Sequence, residues 1–119
     1  MTVSVTDTTS LGAKLVQDTE ANSTAADNTT GGAGILYGVE ITNPNVTPVY
    51  FKLADAATAT PGTTAASVVL VCNASSTQNV SFVSGLTFST GFSHWCVTAA
   101  AESNTTNPDL AVTARYVTS

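Results

Sequence analysis

Gly34-Ile-Leu-Tyr-Gly-Val-Glu-Ile-Thr42, then Asn43-Pro-Asn-Val-Thr-Pro48, then Val49-Tyr-Phe-Lys-Leu53 joins two alternating segments through a proline-bearing turn. Side chains alternate between the two faces of an extended chain. Strict alternation therefore places Ile35, Tyr37, Val39 and Ile41 on one face, with Leu36, Gly38 and Glu40 on the other. Val49, Phe51 and Leu53 likewise oppose Tyr50 and Lys52. Between them two prolines, which lack the N–H a sheet ladder needs, exclude a central strand and mark a turn. The two strands read as a hairpin.

Outward from this pair the pattern repeats. Residues 54–66 form an Ala/Thr-rich loop with Pro61-Gly62 as a turn. Val68-Val-Leu-Val-Cys72 is apolar at every position, the mark of a strand covered on both sides. Residues 78–83 place Val80 and Phe82 inward, and Gly85-Leu-Thr-Phe88 follows as a further short segment. In 92–100, Trp95, Val97 and Ala99 share the inward face, which turns His94 away from it. Leu110, Val112, Ala114 and Tyr116 point inward along the last strand. Toward the N-terminus, residues 2–6 and 13–16 suit short strands, and the polar run 18–32 reads as a long exposed loop. Short strands separated by Pro, Gly and Asn turns argue for an all-β chain, an antiparallel β-sandwich or flattened barrel of about 7–9 strands. Residues 1–119 make a single domain, with 1–33 as N-terminal arm and loop and 34–118 as the strand-rich core.

Composition narrows the function. Of 119 residues, 43% are hydrophobic and 9% charged, against about 25% charged in an average domain. Three basic residues against eight acidic ones give a net charge of −5, so Lys14, Lys52 and Arg115 cannot form the basic stripe that nucleic acid requires. No apolar run approaches the roughly 20 residues of a membrane helix. The start, Met1 to Asp7, lacks the basic and apolar regions of a secretory signal, and the expectation is a complete small gene product. Asn-X-Ser/Thr triplets at Asn22, Asn28, Asn45, Asn73, Asn79 and Asn104 read as products of a Thr- and Ser-rich composition rather than as glycosylation sites.

Candidate chemistry is sparse. His94 is the sole histidine, so any nucleophilic triad must be built on it; the alternative is an edge or interface histidine with its ring partly exposed. Asp18, Glu20 and Asp27 share one polar stretch but lack the spacing of a calcium loop. Glu40 and Glu102 make a glycosidase pair only if the fold brings them together. Cys72 and Cys96 lie in apolar strands; a disulfide is one reading, two small buried side chains the other. Gly31-Gly-Ala-Gly34 lacks the Lys-Ser/Thr of a phosphate loop. The expectation is a non-enzyme with no cofactor and no metal. Leu36, Tyr50, Val69, Val71 and Phe92 fall on outward or turn positions, so an N-terminal arm over 1–16, a second copy or a partner protein must cover them.

Leu36-Tyr-Gly-Val-Glu-Ile-Thr-Asn43, Val49-Tyr-Phe-Lys-Leu-Ala-Asp-Ala56, Thr58-Ala-Thr-Pro-Gly-Thr-Thr64 and Gly85-Leu-Thr-Phe-Ser-Thr-Gly-Phe-Ser93 together resemble small virion structural proteins of tailed bacteriophages, those of marine and cyanobacterial phages in particular. The resemblance spans 34–118. It implies a multicopy capsid decoration (cement) protein, made in the host cytoplasm and placed on the capsid exterior. Its partners there are the major capsid protein and further copies of itself, as a homo-oligomer such as a trimer. The contact residues expected are Val3 and Val5 of the arm with Leu36, Tyr50, Val69 and Val71. The rival implication is a tail or head fibre or knob touching host glycans, with Trp95, Tyr37 or Tyr50 stacking on sugar. A carbohydrate-binding module is the third reading.

Overall fold

The computed structural model describes residues 3–8 and 13–119, and among them there is no helix. The strands in chain order are β1 (Val3–Thr8), β2 (Ala13–Ala21), β3 (Gly34–Asn43), β4 (Val49–Asp55), β5 (Val68–Cys72), β6 (Ser76–Phe88), β7 (Phe92–Val97) and β8 (Val112–Thr118). They form a five-stranded sheet, β1-β2-β8-β3-β6, packed on a three-stranded sheet, β5-β4-β7, with every pairing antiparallel. The architecture is an all-β sandwich, and the sheets do not close into a barrel.

The 43–48 turn does more than reverse the chain. β3 pairs with β6 and β8, whereas β4 pairs with β5 and β7, so the expected hairpin is instead an arch from one sheet to the other. Two buried asparagines hold the arch. Asn43 Nδ2 donates to the carbonyls of Thr47, Cys72 and Asn73, and its Oδ1 accepts from the backbone N–H of Asn45. Asn45 Oδ1 accepts from Leu110 N and its Nδ2 donates to Leu110 O, tying the arch to the segment before β8. The Asn45 side-chain amide is thus fully engaged within the fold. Leu110 itself lies outside β8 and is exposed, contrary to its inward assignment.

Strand β3 carries a bulge that alternation alone misreads. Pairing runs Leu36↔Leu86 and then Gly38↔Ser81, so residues 82–85 of β6 stand opposite Tyr37 alone. On the other side Leu36↔Thr118 steps to Gly38↔Val117. One extra residue shifts the side-chain parity. Leu36 is consequently in the core and Tyr37 outside, before Val39 and Ile41 return inward. Gly85 serves the bulge on the β6 side: its φ is +75°, and a Cβ there would stand 2.3 Å from Ile35 Cγ2. The two short segments expected over 78–88 are therefore one bulged strand.

The core between the sheets contains Val16, Val39, Ile41, Val112, Ala114 and Tyr116 from the large sheet. Val49, Phe51, Leu53, Cys72 and Cys96 meet them from the small one, together with Phe88 and Phe92. Phe92 is buried, with its ring 4.3 Å from that of Phe88, so it is not available as a surface contact. A second, smaller cluster lies on the outer face of β4 and β7, where Ala54, Trp95 and Val97 pack beneath Ala56, Ala59 and Ala66 of the long β4–β5 loop. Trp95 and His94 do face opposite ways, but with the sides exchanged: Trp95 sits under the loop, and His94 points between the sheets. Lys52 is buried too, its Nζ donating to Ala101 O at 2.8 Å. Burial lowers its pKa, and the charge of Glu102 partly opposes that.

Residues 22–30 also differ from the expected exposed loop. β2 continues to Ala21, and the chain then runs along the edge of β7. Cys96 N donates to Asn22 O, Ala26 and His94 exchange both backbone hydrogen bonds, and Thr29 N donates to Phe92 O. This strap occupies an edge that would otherwise present unpaired backbone groups.

Candidate functional site

The most elaborate polar arrangement lies in the core. Asp18 comes from β2, His94 from β7, Tyr116 from β8 and Thr29 from the strap. His94 Nε2 is 2.7 Å from Asp18 Oδ2, and His94 Nδ1 is 2.8 Å from the Tyr116 hydroxyl. That hydroxyl bonds in turn to Thr29 Oγ1, which donates to Phe92 O at 3.0 Å. Asp18 Oδ1 accepts from Glu20 N at 2.9 Å. Burial pushes the Tyr116 hydroxyl well above the usual phenol range; the Thr29 hydrogen bond opposes the shift and the Asp18 charge adds to it.

A carboxylate–imidazole–hydroxyl chain has the ordering of a catalytic triad, but a triad needs a nucleophile that substrate can reach. Asp18 and His94 are 0% exposed and Tyr116 is 1% exposed. The expected partly exposed histidine is therefore wholly internal. The arrangement joins three strands and the strap, which suits a structural clasp. Asp18 looked like a loop residue because its neighbours Gln17, Thr19 and Glu20 are polar; its burial follows from lying in phase with Val16 on β2.

The other expected groupings do not form. Asp27 accepts from Ala59 N, away from the Asp18 bonds, and no cluster of three metal-ligating side chains occurs among the described residues. Glu40 pairs with Arg115 at 3.0 Å on the outer face of the large sheet, whereas Glu102 acts on Lys52 beyond the small sheet. The two carboxylates lie on opposite outsides of the sandwich and make no glycosidase pair. Cys72 and Cys96 are free and buried. β4 runs between their strands, and two strand spacings of about 4.8 Å exceed the 7 Å limit for bridging Cα atoms. Burial pushes the Cys96 thiol up to about 12, with Cys72 and Asp18 adding to the shift. Cys72 Sγ lies 3.5 Å from Ile41 O and 3.4 Å from Ser76 O.

The expected contact residues separate into three groups. Leu36 is a correction: the bulge puts it in the core. Tyr50 is half-buried against the outer cluster, and Val3 is part-buried against the main core. Val5, Val69 and Val71 are 47%, 44% and 46% exposed. Val5 pairs with Val16 and so shares its inward face, at the end of the large sheet. Val69 and Val71 alternate with part-buried Val68 and Leu70, which corrects the reading of β5 as covered on both sides.

Two further features complete this flank. Val83, in the β6 bulge, is fully exposed. β5 and β6 are each the end strand of their sheet, and the sulfur contacts of Cys72 bring them together at one side. Between Asp55 and Glu102 the sequence contains no Asp, Glu, Lys or Arg. Natural edge strands are commonly protected by charge, proline or a covering segment. The β5 and β6 strands have neither charge nor proline, in contrast to the strapped β7. A map of charge along the sequence shows the uncharged span; Val83 emerges only with the bulge.

On the outer face of the large sheet, a trough of about 340 Å³ is lined by Leu15, Gly38, Glu40, Asn79, Arg115 and Val117, among others. No aromatic side chain lines it. Arg115 is held there by Gln17 as well as Glu40. No protein-family model, curated protein or solved structure matches the chain.

Proposed function

We propose that this chain is a non-catalytic assembly protein whose β5–β6 flank docks onto a protein lattice, and that the lattice is a phage capsid, which makes the chain a capsid decoration protein. The observation that carries the reading is the pair of neighbouring sheet edges whose own strands carry no charge and expose Val69, Val71 and Val83, with Lys52 and Glu102 lining a hollow beside Val69. Such a surface associates through apolar burial and backbone hydrogen bonds, and these depend little on salt. Multicopy binding then allows modest individual contacts to stabilise a shell by avidity. The phage context comes from the sequence resemblance.

Trp95 lies under the loop, and a buried ring cannot stack on sugar, so the glycan-binding alternatives rest on Tyr37, which is exposed, and half-buried Tyr50. The deciding experiment incubates labelled protein with purified mature phage heads and tails and images the particles. Regular labelling over the head surface at fixed stoichiometry supports decoration. Labelling confined to the tail, or to host cells, overturns it.

A further inference from the structure

The chain of hydrogen bonds through the core fixes a proton count. Its four contacts run Asp18–His94, His94–Tyr116, Tyr116–Thr29 and Thr29–Phe92 carbonyl. Each needs one proton, and the terminal groups, a carboxylate and a carbonyl, only accept. With Asp18 ionised and the imidazole neutral the chain has three protons: one on the ring, one on Tyr116 and one on Thr29. One contact must then be empty. A second proton on the ring fills all four, with Nε2–H donating to Asp18, Nδ1–H to Tyr116, Tyr116 to Thr29 and Thr29 to Phe92.

Electrostatics favours the same arrangement. Asp18 is wholly buried, and a lone carboxylate is costly there. Among the described residues, no other cation bonds to the pair. β8 contributes Tyr116, β7 contributes Cys96, and β4 contributes the Phe51 ring, 5.2 Å from that of His94. On β2, Glu20 offers its backbone N–H and Lys14 Nζ donates to Thr30 O. Asp27 of the strap is engaged with Ala59.

We infer that Asp18 and His94 form a buried carboxylate–imidazolium pair with no net charge, and that loss of its extra proton reverses the bonds as far as Thr29 and frees its hydroxyl from Phe92. Tyr116 then donates to Nδ1 and Thr29 to Tyr116. The backbone bond from Thr29 N to Phe92 O, 2.8 Å, is left to hold that end of the strap. The clasp is thus a proton-operated catch on the strap over β7.

The single histidine makes the test specific. Nitrogen NMR on the full chain with labelled histidine should find a bonded proton on each ring nitrogen at pH 7. A bare ring nitrogen at that pH overturns the proton count. As pH is raised, loss of the Nδ1 proton should coincide with loss of hydrogen-exchange protection at the Thr29 and Ala26 amides, relative to other β7 contacts. Unchanged protection overturns the catch. In folded Asp18→Asn the ring should hold one proton at pH 7, and two would overturn the countercharge argument; the wild-type spectra decide the proton count should that variant not fold.

Discussion

The two flanks of the sandwich are built in opposite ways. On the β2–β8–β7 side, a strap closes the edge of the small sheet, and Asp18, His94, Tyr116 and Thr29 join the layers through hydrogen bonds. On the β5–β6 side the edges are bare of charge, valines face outward, and the layers meet through Cys72 and apolar packing. The polar side is internal and joins β2, β7, β8 and the strap, whereas the proposed association side carries no charge on its own strands.

The largest expected effect breaks the polar flank. Asp18→Ala leaves His94 buried without its partner and should lower unfolding free energy by about 3–5 kcal/mol in a denaturant titration. Next is the β6 bulge. Gly85→Val meets both the +75° φ and the contact with Ile35, and a loss of about 1–3 kcal/mol is expected, read as a lower denaturation midpoint at unchanged slope.

Alkaline titration probes the buried thiol and phenol. The Cys96 and Tyr116 pKa values are raised in the fold, so the unfolded chain loses those protons first. Their contribution is unchanged below about pH 8.5, the ordinary thiol value, and declines as pH rises above it toward the folded values. Lys52 acts in the opposite sense, because its lowered pKa makes the unfolded chain hold the proton longer. Cys96→Ala should therefore flatten the decline measured by thermal unfolding between about pH 9 and 10. The smallest effect is Arg115→Ala. Its ion pair with Glu40 lies on the open outer face, and a change below about 1 kcal/mol is expected, diminishing with added salt.

Much of the fold was legible where a strand keeps one phase. In Val49–Leu53 and Val112–Tyr116 alternation alone identified the inward residues, and the structure places them there. It failed at β3, where the bulge shifts parity at Leu36 and Tyr37, a change carried by pairing with β6 and β8 that no local pattern contains. It failed again at 43–48. Prolines announce a turn, but whether that turn stays in one sheet or crosses to the other depends on what Asn43 and Asn45 bond at long range. For Trp95 and His94 the opposition of faces was readable, yet both faces of β7 are buried, so hydrophobicity alone chose the wrong one. The outward parity of Val69 and Val71 was legible, although an all-apolar β5 reads as covered on both sides, while the clasp escaped notice because bonded members such as Thr29 and Tyr116 stand 87 positions apart along the chain.

Comparing head binding of the wild-type chain and a Val69→Asp/Val83→Asp variant tests whether the β5–β6 flank is the association surface. Both positions are exposed in the fold, so the variant should unfold within about 0.5 kcal/mol per site of the wild type. Sedimentation with purified phage heads should show saturable wild-type binding that persists at high salt and is lost in the folded variant. Undiminished binding by the variant, or wild-type binding that collapses as salt rises, would contradict the account.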